Sequence, residues 1–122
     1  MKLKEIVNLL DAEVLCGREK LDYEVNFAFG SDLMSDVLSL VNKDTILLTG
    51  LTNIQAVRTA EMMDIKCIIY VRGKRPDEQV IKLAQEKDIC LISTKHILFN
   101  TCGILYVNGL KGAEINKCTM NI

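Results

Sequence analysis

The chain has 122 residues, 49% of them hydrophobic and 25% charged, with three Phe, three Tyr and no Trp. That is room for one domain, with a core built from Leu, Ile, Val and Met, and the composition is that of a globular rather than a disordered chain. Fifteen Lys and Arg against sixteen Asp and Glu give a formal charge of −1, which excludes the broad basic field of a nucleic-acid binder while allowing a local basic patch.

Leu3, Ile6, Val7 and Leu10 fall at i, i+3, i+4 and i+7 and predict a first helix. Glu13-Val14-Leu15-Cys16 reads as a short strand closed by Gly17, and Val25-Asn26-Phe27-Ala28-Phe29 alternates as a strand does. Ser31 followed by Asp32 predicts an N-cap and an acidic first turn, with a helix running to Val41 and facing inward through Leu33, Val37, Leu38 and Val41. Thr45-Ile46-Leu47-Leu48 is a continuous apolar run, the pattern of a strand covered on both faces.

A helix over 53–63, with Ala56, Val57, Ala60 and Met63 inward, leads to a buried strand from Cys67 to Val71. Pro76 at a first-turn position opens the next helix, with Val80, Ile81 and Ala84 inward, and Ile89-Cys90-Leu91-Ile92 is the last clear strand. The stretch from Lys95 to Val107 reads as a helix with Leu98, Cys102, Leu105 and Tyr106 on one face, capped by Asn108-Gly109. From Lys111 to Ile122 no period is visible, so 111–122 reads as a C-terminal tail. The succession of strand and helix predicts a single three-layer α/β domain over 1–110, with a mostly parallel sheet of about five strands flanked by helices.

Neither a signal peptide nor an apolar run near the ~20 residues of a membrane span is visible. The five cysteines, Cys16, Cys67, Cys90, Cys102 and Cys118, form no C-x-x-C pair, and His96 is the lone histidine. A zinc site or a disulfide framework is therefore not expected, and Cys67 and Cys90, inside apolar runs, read as small core hydrophobes. This usage points to the cytoplasm, with no membrane and no nucleic acid as partner.

Chemistry in such a fold belongs at the turns after the strands, where helix N-termini present free N–H groups. The candidate turns carry Ser31, then Thr49, Gly50, Thr52 and Asn53, then Arg72 and Gly73, and finally Ser93, Thr94 and Lys95. Brought together, they would suit an anion such as a nucleotide or a phosphorylated metabolite. The same Ser, Thr and Asn residues serve equally as caps and solvated turns. No G-x-x-x-x-G-K-[ST] or G-x-G-x-x-G pattern is present. His96 has no nearby partner in a triad-like arrangement, Cys102 has no activating neighbour, and Asp22, Glu24, Asp32 and Asp36 form no tuned carboxylate pair. No catalytic residue, metal or cofactor is expected.

Thr49-Gly50-Leu51-Thr52-Asn53-Ile54-Gln55-Ala56-Val57, the unit through Arg72-Gly73-Lys74, and Ser93-Thr94-Lys95 running to Cys102-Gly103-Ile104-Leu105-Tyr106 together resemble the DRTGG domain family. In the segment corresponding to the name motif, Asp22, Val25 and Ser31-Asp32-Leu33 are kept. Tyr23 stands where the motif has arginine, and Asn26-Phe27-Ala28 stands in place of threonine and two glycines. The resemblance implies a fold similar to the N-terminal domain of bacterial HPr kinase/phosphorylase and, more distantly, of MurF-type ligases. Such domains occur alone or fused to CBS domains, phosphotransacetylases and regulatory pyrophosphatases. The resemblance therefore implies a non-catalytic regulatory or protein-interaction module, with a homodimer and a protein partner in a regulatory system as expected contacts. A small-molecule sensor for an anionic ligand is the alternative.

Overall fold

Three apolar runs, Ile46-Leu47-Leu48, Cys67-Ile68-Ile69 and Cys90-Leu91-Ile92, are buried along their whole length and make the middle of a sheet. The computed structural model describes residues 1–116. In chain order it comprises α1 (Leu3–Leu10), β1 (Glu13–Cys16), a 3-10 turn (Arg18–Lys20), β2 (Phe27–Gly30), α2 (Met34–Val37), β3 (Thr45–Thr49), α3 (Ile54–Met62), β4 (Cys67–Tyr70), α4 (Glu78–Glu86), β5 (Cys90–Ser93), α5 (Leu98–Val107) and β6 (Lys111–Gly112). The strand order is β1-β5-β4-β3-β2-β6. All neighbours are parallel except β1 on β5, so the mostly parallel α/β sheet of about five strands expected from the sequence is present, with six strands in all among the described residues.

Register sorts the core into two layers. Leu47, Ile68 and Leu91 turn to one face, where α2, α3 and α4 lay down Met34, Val37, Ala56, Val57, Ala60, Val80 and Ala84. Ile46, Leu48, Cys67, Ile69, Cys90 and Ile92 turn to the other, against Leu3, Ile6 and Leu10 of α1 and Leu105 of α5. Each fully buried Leu or Ile here contributes roughly 1.5–3 kcal/mol relative to exposure. Cys67 and Cys90 are register partners on adjacent strands and fully buried, as expected of core cysteines.

Helix starts follow their caps. The Asn53 carboxamide accepts the Gln55 N–H at 3.0 Å, and the Asp77 carboxylate accepts the Val80 N–H at 3.1 Å. Pro76 thus precedes the cap of α4 rather than lying in its first turn, because Asp77 takes the capping role. The strands are fed by a repeated device. Asp11, Asp44, Asp64 and Asp88, at the turns into β1, β3, β4 and β5, all have φ between 47° and 61°. The left-handed conformation, usual for Gly at such turns, is tolerated by Asp because its short side chain bonds locally.

The second helix departs from expectation. Ser31 is not its cap: the hydroxyl accepts the Leu33 N–H at 3.0 Å in a local turn, and α2 is a single turn. Met34 and Val37 are buried while Leu33, Leu38 and Val41 are exposed, reversing most of the anticipated stripe. The cause is long-range. After Val37 the backbone pairs with the far end of the chain: the Val41 N–H donates to the Glu114 carbonyl at 3.0 Å and the Asn116 N–H to the Ser39 carbonyl at 2.7 Å. The aperiodic residues from Lys111 also supply β6, which pairs in parallel with Phe27 and Ala28. Cys118 and the last residues of the tail lie outside the described residues. In α5, Leu105 is buried but Tyr106 points outward, because Leu98, Cys102 and Leu105 already fill the inner face.

Candidate functional site

The parallel strands β2 to β5 end along one rim, and the helices that follow them decide where it can open. After β2, β3 and β4 the chain turns to the α2–α4 face, whereas after β5 it turns to the opposite face and forms α5. The connections therefore diverge between β4 and β5, the switch point at which open α/β sheets place their ligands. Here that crevice is stitched. The Gly73 N–H donates to the Thr94 carbonyl at 2.8 Å and the Arg72 N–H to the His96 carbonyl at 2.8 Å. The Ser93 hydroxyl donates to the Lys74 carbonyl, also at 2.8 Å. Arg72 and Gly73 adopt φ of 60° and 69° to make this crossing. Thr94 turns its buried hydroxyl inward to the Leu10 carbonyl at 3.0 Å, tying β5 to the end of α1.

The turn after β3 is also spoken for. Asp32, just beyond β2, places Oδ1 2.7 Å from the Gly50 nitrogen and 2.8 Å from the Thr49 hydroxyl, accepting a bond from each. A carboxylate of the protein thus sits on the N–H where an external anion would be expected. The Gly50 N–H and the Thr49 hydroxyl, with Arg72 and Lys74 beyond them, hold the Asp32 carboxyl below the usual carboxylate range. A Cβ at Gly50 would lie 3.6 Å from both Arg72 Nη2 and Asp32 Oδ2, so the guanidinium and the carboxylate close over that glycine.

The anticipated residues therefore fall into two groups. Ser31, Thr49, Gly50 and Arg72 gather around Asp32. Gly73, Ser93, Thr94 and Lys95 line a shallow cavity of about 260 Å³ together with Asp11, Ala12, Glu13 and Arg75, in which Arg75 is ion-paired to Glu13 at 2.7 Å. Asn53 is spent as the α3 cap, and Thr52 is half-buried beside it. The residue missing from the anticipated binding rim is Asp32, which the sequence places in the turn Gly30-Ser31-Asp32 and reads as a first-turn acid. Its signal is positional: it follows the strand adjacent to the one that ends in Thr49-Gly50.

Neither Cys102 nor Tyr70 is activated by its surroundings. Burial pushes the Cys102 thiol above its ordinary value, the opposite of an activated nucleophile, and pushes Cys67 up further. The Tyr70 hydroxyl is buried without a hydrogen-bond partner among the described residues, and burial keeps it protonated. Among the described residues no group of three or more His, Cys, Asp or Glu could hold a metal ion, and no helix is long and apolar enough to cross a membrane.

The segment aligned with the family's name motif runs the length of β2: Ser31-Asp32-Leu33 sits at the rim just described, and its first part, Asp22 to Asn26, lies at the opposite ends of the strands. Asp22 pairs with Lys4 at 3.0 Å, and the Tyr23 hydroxyl donates to Asp44 at 2.8 Å. Burial, with the Asp44 carboxylate adding to it, pushes Tyr23 up to about 12. Val25 is fully buried, and Asn26 donates its N–H to the Asp44 carbonyl. These residues hold α1 and the start of β3 together.

No curated protein matches this chain in sequence. Among solved structures it is similar to the CBS and DRTGG domains of the regulatory region of Clostridium perfringens pyrophosphatase, complexed with its activator diadenosine tetraphosphate, with a TM-score of 0.70 and 18% identity over 85% of this chain. The chain spans 45% of that structure's length. Residues 5–106 match the model of the DRTGG domain, so the chain belongs to the DRTGG domain family.

Proposed function

We propose that this domain is a non-catalytic regulatory or protein-interaction module that acts as a homodimer in the cytoplasm. The observation that carries the reading is the internal use of the strand-end rim. Its switch point is crossed by three hydrogen bonds, and its β3 turn is occupied by Asp32. A rim built this way favours contact over turnover, and neither His96 nor Cys102 has an activating partner beside it. Buried, unlinked Cys67 and Cys90 fit a reducing compartment. Light scattering over a hundredfold range of protein concentration tests the reading: a dimer mass supports it, and a monomer mass throughout contradicts it.

A second reading, a sensor for an anionic ligand, is favoured by one observation. Arg72, Lys74 and Lys95 stand exposed along one rim, with Gly73 bare beside them. The similar regulatory region is complexed with diadenosine tetraphosphate, a nucleotide anion of that class. On this reading Ser31, Thr49, Gly50, Thr52, Asn53, Arg72, Gly73, Ser93, Thr94 and Lys95 form the binding rim. A ligand at one hundred times its dissociation constant stabilises the native state by about 2.7 kcal/mol. A panel of nucleotides and phosphorylated metabolites at millimolar concentration should then raise the melting temperature by several degrees, and a flat panel overturns the sensor reading.

A further inference from the structure

Building on the homodimer reading, we infer that the outer face of α5 is the dimer seat, packing antiparallel on α5 of a second copy and crossing it at Gly103. The helix Leu98–Val107 carries no charged residue. On its solvent side Phe99 is 81% exposed, Tyr106 72% and Val107 80%. A surface helix normally turns charged or polar residues outward. This one turns aromatics outward along the stripe Phe99, Gly103, Tyr106 and Val107.

Gly103 supplies an independent observation. It sits inside the helix, where glycine is the least favourable residue apart from proline. Among the described residues nothing asks for it, since a Cβ there would meet no atom within 4 Å outside its own helix backbone. Its absent side chain is explained by the close approach of another backbone from outside.

The spacing identifies what approaches. About Gly103 the exposed residues are symmetric: Phe99 and Val107 lie four residues to either side, Asn100 and Tyr106 three. A twofold axis through Gly103 sets Phe99 of one copy against Val107 of the other, and the Asn100 carboxamide within reach of the Tyr106 hydroxyl. A face whose two halves complement each other is the property of an isologous contact. With Ile97 the stripe exposes about 500 Å² per copy, so its complete burial gives about 1,000 Å² across the pair, the threshold a biological interface has to clear.

The test uses the whole chain and light scattering. Phe99→Glu and Val107→Lys, each at a site exposed in the single copy, should separately give folded monomers with unchanged circular dichroism. Mixed in equal amounts they should recover a dimer mass, because Glu from one variant meets Lys from the other. Gly103→Leu, which improves helix propensity, should raise the dissociation constant at least tenfold without unfolding the domain. A wild-type chain that is monomeric at every concentration overturns the homodimer reading and this seat with it. A wild-type dimer that survives all three substitutions leaves the homodimer standing and overturns the seat. Monomeric variants that stay monomeric on mixing overturn the antiparallel crossing.

Discussion

At the carboxyl ends of the strands, Thr49, Asn53, Ser93 and Thr94 each direct their polar group to a partner inside the domain, and the Asp32 carboxylate accepts the Gly50 N–H. On the outer face of α5, Phe99, Tyr106 and Val107 stand outside the core of the domain. The first region is where this class of fold places ligands, and here many of its polar groups are taken up by its own hydrogen bonds. The second is ordinarily a solvated helix surface, and here it is left apolar. Position within a fold is therefore a weaker guide to function than whether the groups at that position are still free.

Two glycines sharpen the contrast. At Gly17, with φ of 83°, a Cβ would stand 2.7 Å from the Cys90 Cα, so the domain's own backbone excludes a side chain. Gly17→Ala should cost about 3 kcal/mol in urea denaturation, from left-handed strain and from forcing β1 away from β5. A loss below about 1 kcal/mol would mean that the edge of the sheet yields.

Asp32 gives the next effect. Asp32→Ala frees the Thr49 hydroxyl and the Gly50 N–H and should cost about 1 kcal/mol near neutral pH, one side of the carboxylate being screened by solvent. The folded-state value of this carboxyl lies below its unfolded one, so its contribution is complete above the unfolded value of about 3.9 and lost as pH falls through the folded value. The gap between wild type and Asp32→Ala should therefore narrow on acidification. A gap that stays constant down to pH 2 would show that the carboxylate charge is not what holds the turn.

The smallest effect has the opposite sign. Gly103→Ala should stabilise the isolated domain by about 0.5–1 kcal/mol, read by melting at concentrations low enough to hold the monomer. Destabilisation there would mean that Gly103 answers an internal need, and the difference from Gly17 would vanish.

What could be read in advance divides along the range of the interactions. The strands β3, β4 and β5 were legible because a continuous apolar run is a local signal, and α3 and α4 because cap and stripe lie within one helix. The left-handed Asp11, Asp44, Asp64 and Asp88 were also written locally, each before an apolar run, but Asp is a weaker mark of that conformation than Gly. The length of α2 was not legible, since Glu114 and Asn116 determine where its backbone is drawn off. The candidate turns were correctly placed at strand ends, yet the partner of each hydroxyl was invisible. Thr94 reaches Leu10 across 84 positions, and Thr49 reaches Asp32 across 17.

The central claim, a closed rim and a working α5 face, is tested most directly by amide NMR spectra of the wild-type chain recorded over a hundredfold dilution. The account predicts concentration-dependent shifts centred on Gly103 and its helical neighbours, with Gly50 and Gly73 unmoved. Shifts at Gly50 or Gly73 with Gly103 still, or no movement anywhere, would contradict it.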